Sequence, residues 1–160
     1  MKKLSDEEVC VRKLEVPDIK RFRERIYRFI QIDFVATYGN EASDEVAYSK
    51  IDGLEKYIVE GKAHPYGAFL NDEMVGFLWG YIVSSPFEKI FHVAYIATDP
   101  DHRKKGIGNA LLKKTEDDVL DSKEASSIEL IVGSENERAI LFYENNDYKK
   151  DRYIYRKEIR

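Results

Sequence analysis

The sequence predicts an α/β protein of the mixed α+β kind, with a central mixed, mostly antiparallel sheet of about six to seven strands flanked by helices. Three observations carry that expectation. Short apolar or alternating runs bounded by turn residues recur along the chain. Helical periodicity occupies most of residues 17–59. A second helical pattern, starting at Ile107, joins two apolar runs.

Val9 to Leu14 alternates apolar and polar residues and reads as the first strand. Pro17-Asp18 opens a helix, with Ile19, Phe22, Ile26, Phe29, Ile30 and Phe34 at helical spacing and a break at Tyr38-Gly39-Asn40. Asp44 to Val59 is a second helical region, with an interruption expected near Asp52-Gly53. Gly61 to His64 reads as a loop. Tyr66 to Leu70 and Met74 to Val83 are strands joined by a tight turn at Asn71-Asp72-Glu73. Ser84-Ser85-Pro86 turns the chain into Phe91 to Thr98, which is almost continuously apolar and therefore central. The helix from Ile107 to about Leu120 crosses over to a strand from Ile128 to Val132, which implies one locally parallel pair. Tyr153 to Ile159 reads as a final strand.

At 160 residues, one domain spanning 1–160 is expected. The net charge of −4 gives no general case for a nucleic-acid partner, and the basic residues gather near residue 104 and the C-terminus. Cys10 is the only cysteine, so neither an intrachain disulfide nor a cysteine-based metal site is expected, and its expected role is that of a small buried apolar residue. There is no apolar leader pattern and no long apolar span, so a membrane partner is not expected and the cytoplasm is the default.

The densest chemical signal lies between Thr98 and Leu112. Asp99-Pro100 ends the apolar strand, Arg103, Lys104, Lys105, Gly106, Ile107, Gly108 and Asn109 follow, and the helix begins at once. The first N–H groups of a helix lack intrahelical partners, and its dipole places partial positive charge there. Gly106 and Gly108 carry no side chain to keep a ligand from the backbone, and the three basic residues add formal charge. Such a loop suits a phosphate or pyrophosphate. It is not a P-loop, which requires Gly-Lys-Ser/Thr after four residues. It is not the dinucleotide fingerprint either, because Leu111 stands where the third glycine belongs.

Arg103 to Gly108 reads Arg-x-x-Gly-x-Gly after a strand and Asp-Pro. At this point the chain resembles the GCN5-related N-acetyltransferase (GNAT) superfamily. The downstream order is similar as well: a strand at Ile128 to Val132, Asn136, Ala139, Phe142-Tyr143-Glu144, then Asp147-Tyr148 and a last apolar stretch. The resemblance covers about residues 65–160 well and 9–64 loosely. Asp147 replaces the family's usual glycine, although Asn146-Asp147 tolerates left-handed geometry.

The resemblance implies acetyl-CoA as co-substrate, direct transfer to a primary amine of a small molecule or peptide, no metal, and a homodimer through the last strands. By resemblance, the backbone of Ile96, Ala97 and Thr98 pairs with the pantetheine arm like an added strand. The amides of Lys104 to Asn109 take the pyrophosphate, beside Arg103. A backbone amide near Ile96–Ala97 would polarise the thioester carbonyl. Tyr143 corresponds to the general acid that protonates the leaving thiolate, since a phenol is protonated at neutral pH. Asn136 fits either cofactor anchoring or a helix N-cap. Relatives that acetylate a ribosomal alanine carry a Glu five residues before that Asn; here the position is Ile131, so that base is missing.

His92 and Glu129 are the remaining candidate bases, with Glu88 as a third; each also has a plain structural reading, His92 as a satisfied core histidine and Glu88 as a solvated turn carboxylate. Glu41, Asp44, Glu45, Asp52, Glu55 and Glu60 would suit a cationic acceptor, or form a solvated helix face. Two other readings stay open: a non-catalytic acyl-CoA-binding or sensing module on the same fold, and a nucleotide-phosphate binder unrelated to acyl transfer.

Overall fold

The computed structural model describes residues 8–160. Strand β1 (Cys10–Lys13) is followed by helices α1 (Val16–Arg21), α2 (Arg23–Tyr38) and α3 (Asp44–Val59). Strands β2 (Ala63–Leu70), β3 (Glu73–Ser84) and β4 (Lys89–Thr98) come next. A 3-10 turn at Pro100–His102, helix α4 (Ile107–Ser122), strand β5 (Ser127–Leu130) and helix α5 (Glu137–Glu144) complete the order. The five strands form one sheet in sequence order, antiparallel from β1 to β4 and parallel between β4 and β5. The parallel pair is the crossover expected from the helical pattern after Ile107.

Each face of the sheet carries its own core, because successive strand residues point to opposite sides. On one face Phe77, Trp79 and Ala97 pack with Ile19, Ile26, Phe29, Ile30, Ile51 and Leu54 from α1 to α3. On the other face Ala68, Val75, Leu78, Phe91 and Val93 pack with Leu111, Leu112 and Val119 of α4. A large aliphatic or aromatic side chain contributes roughly 1.5–3 kcal/mol when fully buried, so these two layers set the positions of everything between them.

Local chemistry explains the joints. Asn71 and Asp72, both at positive φ (47° and 65°), form the two-residue hairpin between β2 and β3. Gly76 lies where a Cβ would meet Ile107 Cγ2 at 2.6 Å, so the missing side chain lets the start of α4 lie close on the sheet. At Gly80 a Cβ would collide with the Phe91 ring and lie 2.8 Å from the His92 carbonyl oxygen. Backbone cannot yield as a flexible side chain does. Gly80→Ala is therefore expected to cost about 1–3 kcal/mol and lower Tm by several degrees, measured by thermal melting. An unchanged Tm would contradict the packing.

The structure differs from the sequence reading in five places. The first helix is split at Phe22 (φ −101°, ψ 17°), whose ring turns onto Phe69 at 5.4 Å. Helix α3 runs through Gly53 without interruption, because Ala47, Ile51 and Leu54 are fully buried on either side of it and outweigh the roughly 1 kcal/mol glycine penalty. Strand β2 begins at Ala63, inside the expected loop, paired with Tyr81. Cys10 is exposed, not buried, because β1 is an edge strand paired only with β2.

The largest difference is the strand count. Among the described residues the sheet has five strands rather than six or seven, and residues 153–159 form none. Tyr153, Ile154, Tyr155 and Ile159 are between 75% and 94% exposed. Their apolar pattern has no ladder to join, so periodicity alone was not sufficient.

Candidate active site

The site begins where β4 and β5 part. Their parallel ladder runs from Ile90↔Ser127 to Val93↔Leu130 and stops. Strand β4 continues to Thr98, paired only with β3. Immediately past the last rung the β3–β4 register slips: Trp79 faces Tyr95 while Gly80 faces Val93, leaving Ala94 as an extra residue. Such a bulge bends a strand and increases its twist. The β5-side edge of Ile96, Ala97 and Thr98 is consequently without a strand partner, as the added-strand reading requires.

The chain leaves β4 through a braced turn. Asp99 is buried (7% exposed), and its carboxylate accepts from the Asp101 amide at 2.8 Å and pairs with Arg25 of α2. Arg25 also donates to the Met74 carbonyl at 2.7 Å, tying α2 to β3. Burial works against the Asp99 charge, but the Asp101 amide and Arg25 outweigh it and hold the carboxyl below its ordinary range. His102 lies 3.7 Å from the same carboxylate, with its Nδ1 buried and without a hydrogen-bond partner.

The loop itself is shaped by positive φ at Lys104 (64°) and Gly106 (72°). The first helical N–H with a backbone acceptor is that of Ala110, bonded to the Gly106 carbonyl at 2.9 Å. The amides of Ile107, Gly108 and Asn109 come before it, no side chain caps them, and no acidic residue stands in the first turn. Among the described residues Arg103, Lys104 and Lys105 make no ion pair, and Arg103, Lys104 and Lys105 are exposed. Free amides, free cations and an open backbone fit a pyrophosphate-bearing co-substrate.

The two loop glycines have different reasons. Gly106 has open space around its Cβ position and needs left-handed geometry. At Gly108 a Cβ would lie 3.0 Å from the Phe142 ring, so this glycine admits α5 against α4. Gly108 thereby helps place the next residue, Tyr143. Asn146 reinforces the contact, donating to Asn109 Oδ1 at 2.9 Å and to the Phe142 carbonyl at 2.8 Å. Asp147 takes the left-handed conformation (φ 65°) that replacement of the family's glycine requires.

Tyr143 is partly buried beside Phe142 and Tyr148, with ring centroids 5.2 and 5.8 Å apart. Burial, and then the charge of Asp33, push its phenol well above the ordinary tyrosine range. Asn136 caps α5, accepting from the Ala139 amide at 3.2 Å, which is the second of its two readings. His92 and Glu129 are brought together: Nδ1 and Oε1 are 3.1 Å apart, on the penultimate rung of the β4–β5 ladder. Glu88 holds Ser126 and Ser127 at the ladder's far end, at 2.9 and 3.1 Å. Ile131 lies just beyond β5 and is 68% exposed.

Of the acidic residues on the helices, several are satisfied internally. Asp44 accepts from the Tyr27 hydroxyl at 2.6 Å, Asp52 and Glu55 pair with Arg23, and Glu60 pairs with Lys62. A cavity of about 410 Å³, lined by His64, Tyr66 and Asp118, opens at the other end of α4 and contains none of the loop residues. Among the described residues no group of three or more His, Cys, Asp or Glu is placed to hold a metal, and no helix is long and apolar enough to cross a membrane.

One residue at this site escaped the sequence reading. Asp33 of α2 is half-buried. Burial raises its carboxyl to about 6. Tyr95 is pushed up to about 12 by its own burial first and then by the Asp33 charge. The available signal was a lone carboxylate four residues after Phe29 and three after Ile30, on the apolar face of its helix.

A mixed sheet whose central strand parts from its parallel neighbour, followed by a basic loop that opens an uncapped helix, is the arrangement expected from the resemblance to an acetyltransferase. The Acetyltransferase (GNAT) family model matches residues 23–148, and the chain belongs to that family, whose activity is N-acetyl transfer. Solved structures agree on the fold. A possible acetyltransferase from Clostridium difficile 630 is 21% identical, with a TM-score of 0.75 over 94% of this chain and 97% of that one. An aminoglycoside acetyltransferase from an uncultured soil metagenomic sample, in complex with sisomicin, is 15% identical (TM-score 0.73; 95% and 97% covered). A ribosomal-protein-alanine N-acetyltransferase from Brucella melitensis biovar Abortus 2308 is 21% identical (TM-score 0.67; 95% and 99% covered).

Proposed function

We propose that this chain, acting as one domain over residues 1–160, transfers the acetyl group of acetyl-CoA to a primary amine by direct attack in a ternary complex. The observation that carries the reading is the run of uncapped amides at Ile107 to Asn109, beside three unpaired basic side chains, at the end of an unpartnered strand edge. In this reading Arg103 to Asn109 hold the pyrophosphate, and the backbone of Ile96 to Thr98 takes the pantetheine arm. Acetyl-CoA supplies an activated acyl carbon. Tyr143 gives a proton to the leaving sulfur, since a phenol is protonated at neutral pH. Glu129 orients the His92 ring at the foot of the parting strands, where the pair would pass protons toward solvent. A covalent acyl-enzyme is not part of the scheme, because the loop carries neither Cys nor Ser.

Isothermal titration with acetyl-CoA tests it. Wild type is expected to bind saturably, and Gly106→Glu is expected to lose at least about 100-fold in affinity through bulk and like charge at the phosphate. Gly106→Asn tolerates positive φ and is expected to bind close to wild type, separating ligand repulsion from backbone strain. Wild-type affinity in Gly106→Glu would refute the loop assignment. Cytoplasmic location and a homodimer belong to the same proposal; a monomeric sedimentation profile at tens of micromolar would count against the dimer.

A further inference from the structure

We propose that the cavity at the C-terminal end of α4 is a second binding site, and that it takes a free α-amino acid with an apolar side chain. It is separate from the transfer chemistry, since residues 103–109 lie at the opposite end of α4 and none of them lines it.

The cavity measures about 410 Å³, a size typical of small-ligand sites, and is walled by β1, β2, β4 and the last turns of α4. Its floor is apolar. Tyr66 and Phe91 are each 1% exposed, and the His64 and Phe91 ring centroids are 5.8 Å apart. Its rim carries charge of both signs. On one side Lys13 Nζ lies 3.0 Å from His64 Nδ1. An ammonium can only donate, so Nδ1 accepts and the neutral ring carries its proton on Nε2. Burial, and then the Lys13 charge, lower the His64 pKa and favour that neutral ring. Nε2 faces Glu124 at 3.7 Å, too far for a hydrogen bond. Among the described residues Lys13 makes no ion pair, so this side presents two donors and no anion to take them.

The other side is the reverse. Lys114 takes Asp118 at 2.6 Å, whereas among the described residues Asp121 makes no ion pair and Glu124 has only the distant imidazole. The last turn of α4 holds no basic residue. A helix C-terminus carries partial negative charge, so Asp121 is unfavourable there until a cation joins it. Such an uncompensated conflict beside a cavity marks a place for a ligand cation.

A zwitterion answers both sides at once. Its carboxylate accepts from Lys13 and the His64 Nε2–H, its ammonium donates to Asp121 and Glu124, and its side chain covers Tyr66 and Phe91. A simple anion would meet the two carboxylates, and a simple cation would leave both donors unpaired. The two sides are separated by a single imidazole ring, which suits charges borne on one carbon atom.

Isothermal titration and thermal melting of the full chain, without acetyl-CoA, test this. The probes are L-leucine and L-phenylalanine, with N-acetyl-L-leucine lacking the cation and L-leucinol lacking the carboxylate. Wild type is expected to bind at least one of the two amino acids saturably and to melt higher in its presence, with both analogues about tenfold weaker or more. Lys13→Met, Asp121→Asn and Glu124→Gln are each expected to lose about tenfold or more in affinity. All three side chains are exposed, so the variants without ligand should melt within about 2 °C of wild type. No saturable binding of either amino acid up to about 10 mM would overturn the proposal. Equal affinity for either analogue would overturn it too, because one of the two charges would then be unread. So would binding left unchanged by Lys13→Met, or by both carboxylate variants, which would place the amino acid elsewhere on the protein. Acetyl-CoA takes no part in these measurements, so failure of the acetyl-transfer reading leaves their outcome unaffected.

Discussion

Replacing Tyr143 by Phe is expected to slow acetyl transfer by roughly 100- to 1,000-fold while leaving acetyl-CoA affinity within about twofold. The ring stays where it is, because its position comes from Phe142 and Tyr148 and from the glycine at 108 that admits α5. Only the hydroxyl is lost. Burial and then the Asp33 charge push the phenol above the ordinary tyrosine range, so the hydroxyl is protonated at neutral pH. Initial rates of thiol release and titration with acetyl-CoA read the two quantities separately. Turnover equal to wild type would remove Tyr143 from the chemistry. A chain that binds acetyl-CoA with full affinity but turns over no amine, with or without Tyr143, would be an acyl-CoA-binding module.

The second large effect is on stability. Arg25→Met is expected to cost about 3–5 kcal/mol and to lower Tm by roughly 10 °C, because it leaves the buried Asp99 carboxylate without its cation. Asp99 also holds the turn that leads into the anion loop, through the Asp101 amide. Acetyl-CoA affinity should therefore fall in the same variant, although Arg25 sits on α2 and touches none of the loop residues. The Arg25→Met/Asp99→Asn double variant removes the stranded charge and is expected to recover part of the Tm. Thermal melts of the three variants measure this. Additive losses in the double variant would show that the two residues do not act as a pair.

Much of the fold was legible because its signals are local. The hairpin at Asn71-Asp72 needs only two residues that accept positive φ, and the chain supplies them in sequence. The crossover through α4 follows from a helical period between two apolar runs, and the turn into it from glycines at a helix start. The last strand was misread for the same reason. Residues 153–159 carry an apolar pattern, but a strand exists only when another strand offers it a ladder, and β5 ends at Leu130 without offering one.

The sequence by itself determined most of the elements up to β5, the β2–β3 hairpin and the parallel crossover through α4, since each depends on residues near one another along the chain. Only the tertiary structure decided the contents of the site. It joined His92 to Glu129 across two strands, set Gly108 against the Phe142 ring and gave Asn136 the cap of α5. It also half-buried Asp33 on α2 and so raised its carboxyl to about 6. A carboxylate on a helix reads as surface until packing removes water from it; burial, which no local pattern encodes, is what raises the Asp33 carboxyl.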